Sequence, residues 1–135
     1  IKKGIKLNNP DPSDGLDILS KVGGFEIGGI AGVCLAAGYH RIPVVIDGII
    51  STAGALIASK LAPSVSQYMF AGHCSFERGH RPMLDYLGLK PILNLGMRLG
   101  EGTGGGLAMH IIQAAVDIFN EVGTFEDIGI EKEAE

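Results

Sequence analysis

Ile42-Pro43-Val44-Val45-Ile46-Asp47-Gly48 is the stretch on which the reading of the fold turns. A continuous run of β-branched residues with no polar alternation is the pattern of a strand covered on both faces, and it ends in an acid and a glycine. Ser51 or Thr52 then suits the cap of a helix running through Ala55, Leu56, Ala58 and Leu61 to a stop near Pro63. A second short strand at Tyr68-Met69-Phe70-Ala71 leads into the polar loop 72–79, and a further helix is expected over residues 82–87. The order is β-α-β-α.

Upstream, the turn-rich segment 8–14 ends in residues suited to capping a helix on which Leu16, Leu19 and Val22 recur at helical spacing. The opening residues 1–5 read as the tail of a helix. Between 25 and 38, Gly28, Gly32 and Ala36 form a small-residue stripe, expected to be the face on which another backbone packs closely. Downstream of Pro91 an apolar stretch to Met97 meets the glycine-rich segment 98–106. The last long helix starts within or just after it, with Leu107, Ile111, Ala115 and Ile118 on the expected core side and His110, Gln113, Asp117 and Glu121 opposite. The acidic tail 126–135 is expected to fray. Alternating strands and helices with short connections predict a Rossmann-like α/β domain, a largely parallel sheet flanked by helices. In such sheets ligands bind at the carboxyl ends of the strands. Asp47-Gly48, the loop 73–77 and the loop 100–106 are therefore the places to look.

The 135 residues fit one domain able to bury a core without disulfides or a structural metal. A formal net charge of −4 and the lack of a basic stripe argue against nucleic acid as partner. The apolar stretch 27–39 is short and glycine-rich for a membrane span, so a soluble protein is expected. Cys34 lies in an apolar run and Cys74 in a polar loop, which indicates neither a disulfide framework nor a zinc quartet and suits a reducing cytoplasm. The 21 glycines cluster instead of recurring with a fixed period, as expected where turns and ligands need close backbone approach.

Among residues able to do chemistry, Glu101 sits between Gly100 and Gly102 in a loop feeding a helix. It reads equally as a reactive carboxylate or as a solvated acid favoured by the helix dipole. The amides of that opening helix are a potential anion site, although no Lys follows the last glycine as a nucleotide-triphosphate loop requires. Asp47 reads equally as a turn or cap acid serving residues 48–51 or as a ligand contact. His73, Cys74 and His80 suit a metal or a Cys-His nucleophile by type, but His73 and Cys74 are expected to point to opposite faces. With His80 they lack the further cysteine or carboxylate of a zinc site, so no metal is assigned. His110 is expected on the solvent side of its helix.

Four blocks together carry a resemblance: residues 17–27, Asp47-Gly48-Ile49-Ile50-Ser51, the loop 73–80, and Met97-Arg98-Leu99-Gly100-Glu101-Gly102-Thr103-Gly104. In order and spacing they resemble the nicotinate-nucleotide:dimethylbenzimidazole phosphoribosyltransferases, with Arg-Leu-Gly-Glu-Gly-Thr-Gly the most specific part. Members are longer, and the chain resembles their carboxy-terminal portion. Their amino-terminal Gly-x-Gly-Asn-Thr-Thr segment, which helps hold the nucleotide, has no match in these residues. The resemblance implies a fragment, or a partner chain supplying the rest. It also implies a cytoplasmic, homodimeric enzyme of cobalamin biosynthesis acting on nicotinate mononucleotide and dimethylbenzimidazole, without metal or cofactor. Glu101 then matches the catalytic base and Leu99 the wall of the benzimidazole slot. Asp47 and Gly48 fall near the ribose, and Ser75 with the Gly100 and Gly102 backbone near the phosphate. Two other readings stand beside it: a dinucleotide-binding α/β domain using the loop 100–106, and a noncatalytic homologue that associates with another subunit.

Overall fold

Helices fill the chain before the first strand. In the computed structural model, which describes residues 1–125 and 127–129, α1 (Lys2–Asn8), α2 (Gly15–Val22) and α3 (Phe25–His40) precede β1 (Val44–Ile46). Helix α4 (Ile49–Leu61) and a 3-10 turn, Pro63–Tyr68, lead to β2 (Met69–His73); α5 (His80–Leu87) leads to β3 (Pro91–Leu93); and α6 (Thr103–Glu121) follows. The three strands form a parallel sheet in the order β1-β2-β3, with Val44 opposite Met69 and Ala71 opposite Pro91. The domain is α/β, with a parallel sheet flanked by helices, as the alternation of patterns predicts. The acidic tail lies largely outside the described residues.

Local chemistry accounts for the helix ends. Asp14 caps α2 by accepting from the Leu16 and Asp17 amides at 2.9 and 3.2 Å. Helix α4 begins earlier than Ser51 or Thr52 would place it, at Ile49 with Gly48 as its cap residue. Both hydroxyls instead turn back inside the first turn and donate to the Gly48 carbonyl. The second strand starts at Met69 because Tyr68 still belongs to the 3-10 turn, and α5 starts at His80, ahead of Pro82, since proline is tolerated in a first turn.

The main core lies on one side of the sheet, where Ile46 and Met69 meet Ala31, Cys34, Ala55, Ile57, Ala58 and Val65; Ala71 and Leu84 continue it toward α5. Close approach of α3 and α4 works opposite to the expectation from the stripe. Gly28 meets Leu19 of α2, 3.4 Å from where a Cβ would stand, but Gly32 and Ala36 are exposed and no neighbour comes within 4 Å of a Cβ placed on Gly32. The small residue that matters is Gly54 on α4, whose missing side chain leaves room for Ile30; a Cβ there would come within 2.5 Å of it. Of the stripe's two glycines only Gly28 meets a neighbour, which lies on α2 and not on α4.

The other side is less complete than a strand buried on both faces would require. Val45 and Phe70 point to it, and Phe70 in the central strand remains 41% exposed. Helix α6 reaches the sheet only through its first turns, where Gly104, Gly105 and Ala108 are buried. Gly72 permits this contact: a Cβ on it would lie 3.0 Å from the Gly105 Cα and 3.1 Å from the Ile46 carbonyl. The expected core side of α6 is not a core here, for Leu107, Ile111 and Ile118 are exposed along with Met109 and Phe119. His110 is exposed as expected.

Candidate active site

The loops after all three strands converge at the carboxyl end of the sheet. The Cys74 amide donates to the Leu93 carbonyl at 2.8 Å, and Phe76 donates to the Met97 carbonyl at 2.9 Å, so the loop after β2 is laced to the loop after β3. The Arg98 guanidinium lies 5.8 Å from the Phe76 ring centroid and adds a cation–π contact to the same seam. From β1, the Asp47 carboxylate reaches across and accepts the Gly105 amide at 2.9 Å. Helix α6 has Gly102 as its cap residue and hence no capping side chain of its own. Asp47 supplies that service from 58 residues away, and its charge suits the positive end of the helix. Among the described residues Asp47 caps α6 and does not serve residues 48–51.

That arrangement leaves little of the helix terminus for an anion. The Thr103 amide is taken by the Gly100 carbonyl at 3.0 Å and the Gly105 amide by Asp47. What is left for an anion is the Gly104 amide and the amides of the loop before it, which have no hydrogen-bond partner among the described residues.

Gly100, Glu101 and Gly102 are three successive residues with left-handed backbone, at φ of +78°, +56° and +75°. The Thr103 side chain closes the turn by donating to the Gly100 carbonyl at 2.8 Å. Glycine adopts this conformation freely, but glutamate is strained there by about 1–2 kcal/mol. Strain kept at an exposed carboxylate, where a third glycine would be more comfortable, points to a use for the side chain. Leu99, just before it, is 74% exposed, an apolar side chain presented on the open loop face.

Beneath the loops lies a buried polar cluster whose histidines the sequence offers only as a metal site or a Cys-His nucleophile. His73 ends β2 fully enclosed; its Nδ1 is 3.9 Å from Asp47 Oδ1 and has no hydrogen-bond partner among the described residues. The backbone of Gly104 rests on that imidazole so closely that any side chain at 104 would enter the ring. His80 is also fully buried, 6.0 Å from His73 between ring centroids. Its Nε2 is 2.8 Å from Thr52 Oγ1, while its Nδ1 accepts the Ser75 amide at 2.9 Å and lies 3.1 Å from Ser75 Oγ. Ser75 itself is half-buried and faces the loop seam. Burial pushes the His80 imidazole below its ordinary range; neighbouring His73 pushes the same way and Asp47 opposes. Among the described residues no three His, Cys, Asp or Glu side chains form a group that could hold a metal ion. Cys34 and Cys74 are both free and buried, and burial pushes the Cys34 thiol up.

Of the residues singled out from the sequence, Asp47 and Gly48, Ser75, and Leu99 through Gly102 thus belong to three loops that meet. Thr52, Gly72, His73 and His80 do not stand out in the sequence as parts of this framework, because each matters through a partner distant along the chain.

Comparison with known proteins agrees with this fold. A family model described as phosphoribosyltransferase matches residues 1–130. The nicotinate-nucleotide–dimethylbenzimidazole phosphoribosyltransferase of Geobacter sp. (strain M21) is 58% identical over 130 residues, covering 96% of this chain and 37% of the relative. That of Desulforamulus reducens is 58% identical over 132 residues, 98% of this chain and 38% of the relative. A crystal structure of the enzyme of that name from Thermus thermophilus superimposes with a TM-score of 0.86 at 43% identity, covering 94% of this chain and 38% of that one. The chain spans somewhat more than a third of the length of these relatives. It belongs to the phosphoribosyltransferase family whose members include the nicotinate-nucleotide–dimethylbenzimidazole phosphoribosyltransferases.

Proposed function

We propose that this chain is the carboxy-terminal part of a catalytic domain that transfers phosphoribosyl from nicotinate mononucleotide to 5,6-dimethylbenzimidazole, yielding α-ribazole 5′-phosphate and nicotinate. The observation that carries the reading is Glu101, held in left-handed backbone between two left-handed glycines on the open face where three strand-end loops meet.

The chemistry asks for little beyond that carboxylate and an aligned pair of substrates. One benzimidazole nitrogen attacks C1′ of the ribose, and the C1′–pyridinium bond breaks. Its electron pair returns to the pyridine nitrogen, so nicotinate leaves with a neutral ring and needs neither a general acid nor a metal. The proton on the other benzimidazole nitrogen passes to Glu101, which raises the nucleophilicity of the ring and avoids a cationic product. Leu99 supplies an apolar wall for the flat ring. Asp47 and Gly48 lie toward the ribose, where a carboxylate favours the positive charge that develops at C1′. Ser75 and the backbone of Gly100 and Gly102 receive the phosphate. With both substrates bound together, positioning supplies much of the acceleration.

The remainder of the longer polypeptide completes the nucleotide pocket in this reading, and the working form is a cytoplasmic homodimer. The apolar side chains left uncovered on α6 and on Phe70 suit such partners. Among the described residues no helix is long and apolar enough to cross a membrane.

The test is release of nicotinate from nicotinate mononucleotide by the polypeptide that carries this chain, with and without a benzimidazole. Release should require the benzimidazole. In Glu101→Gln, kcat should fall by about 10²–10⁴-fold while benzimidazole binding, read by calorimetry, stays within about twofold. Equal rates in the variant and the parent would remove Glu101 from the role.

A further inference from the structure

His80 has no place in the chemistry above, yet it is fully buried and each ring nitrogen has a partner. The partners fix the tautomer. A backbone amide can only donate, so the Ser75 amide at 2.9 Å makes Nδ1 an acceptor, and the proton of the neutral ring therefore sits on Nε2. Nε2–H then donates to Thr52 Oγ1 at 2.8 Å, and the Thr52 hydroxyl donates onward to the Gly48 carbonyl at 2.8 Å. The chain of donors runs one way, from Ser75 through His80 and Thr52 to Gly48. It joins the loop after β2, the first turn of α4 and the turn after β1, with 28 residues between His80 and Thr52.

We propose that His80 is a positioning residue that acts through Ser75: its neutral imidazole locks the Ser75 loop to the Gly48 turn and so presets the phosphate end of the mononucleotide site. This rests on the function proposed above, since it takes Ser75 as a phosphate contact. A protonated ring would face the Ser75 amide with a second donor, so the lock holds only while His80 is neutral. The burial that disfavours the charged ring, and His73 beside it, keep it so against the opposing pull of Asp47. The sign follows: a base whose folded-state pKa is lowered stabilises fully above its unfolded value, near 6.5, and that stability is lost as pH falls below it.

Two variants divide the ring. Asn at 80 keeps an acceptor close to the position of Nδ1; Gln at 80 reaches the position of Nε2 and keeps the donor toward Thr52. In the polypeptide carrying this chain, His80→Gln should raise KM for nicotinate mononucleotide by about tenfold, the worth of one well-placed hydrogen bond, with a smaller change in kcat. His80→Asn should raise it about twofold to threefold, and Thr52→Val should lie between them. Equal KM values for the Asn and Gln variants overturn the proposal. Imidazole ¹⁵N shifts of histidine-labelled protein judge the relay apart from activity. The Nε2–H form should persist at neutral pH, and an Nδ1–H form would overturn it even if the enzyme were active. If the parent enzyme does not turn over nicotinate mononucleotide, the substrate reading fails while the tautomer measurement still decides the relay.

Discussion

On one face of the sheet, Ile46, Met69 and Ala71 pack beneath α3, α4 and α5; on the other, Val45 and Phe70 look toward a helix that touches the sheet only through Gly104, Gly105 and Ala108. The first face is built from apolar side chains, several of them small, meeting one another, and Ile30 over Gly54 shows how closely they are fitted. The second is built from absent side chains and directed polar contacts, Gly72 under Gly105 and Asp47 on the Gly105 amide, with Gly104 resting on His73 at the carboxyl edge of the sheet. One face stabilises the fold and the other aims a loop. Substitutions on the two sides should therefore have different signatures.

The largest loss of stability is expected on the packed face. Leu84 is fully enclosed between α5 and the sheet. Leu84→Ala should lower the unfolding free energy by about 2–5 kcal/mol, from lost burial and the cavity left behind. Urea titration measures it, and turnover per folded molecule should be nearly that of the parent. A large fall in turnover at full folding would erase the division between the faces.

A smaller loss of stability with a larger functional effect is expected at Gly104. A methyl group there runs into the His73 ring, so the start of α6 must shift off the sheet end. Gly104→Ala should cost about 1–3 kcal/mol as an overpacked site. Because α6 must then lift away from Asp47, the loop carrying Glu101 shifts as well, and kcat should fall by about tenfold or more, a sensitivity that sub-ångström positioning makes reasonable. Wild-type kcat in this variant would show that the seat of α6 does not aim the loop.

Legibility in the sequence follows the same division. The parallel α/β order, the strand just before Asp47 and the Asp14 cap are readable because each depends on neighbours within a turn or a run of side chains. The face that α3 presents is not, because spacing alone does not tell which of two helices supplies the gap; it is Gly54. The apolar side of α6 suggests a core because amphipathicity reports that a face is to be covered, not that these residues cover it. Asp47 serving Gly105, and His80 bridging Thr52 and Ser75, depend on contacts that only the sheet topology creates. Glu101 itself is legible as a position, through the glycines beside it. Its backbone conformation is not, since flanking glycines are compatible with several turns.

That conformation allows the finest test of the contrast, with the smallest effect and an unusual sign. Glu101 is a non-glycine residue at φ +56° and its side chain is exposed, so replacing it loses no packing. Glycine there relieves about 1–2 kcal/mol of left-handed strain, against about 0.5–1 kcal/mol for the greater freedom of glycine in the unfolded chain. Glu101→Gly should therefore raise the unfolding free energy by up to about 1.5 kcal/mol. Glu101→Gln keeps both the strain and the shape and should leave stability unchanged. Both variants should lose turnover to a similar degree if the carboxylate is the base. A stability gain joined to a loss of rate is what a strained residue kept for chemistry predicts. Loss of stability in Glu101→Gly would instead mean that the side chain holds the loop in place, and the carboxylate would belong with the packed face of the sheet after all.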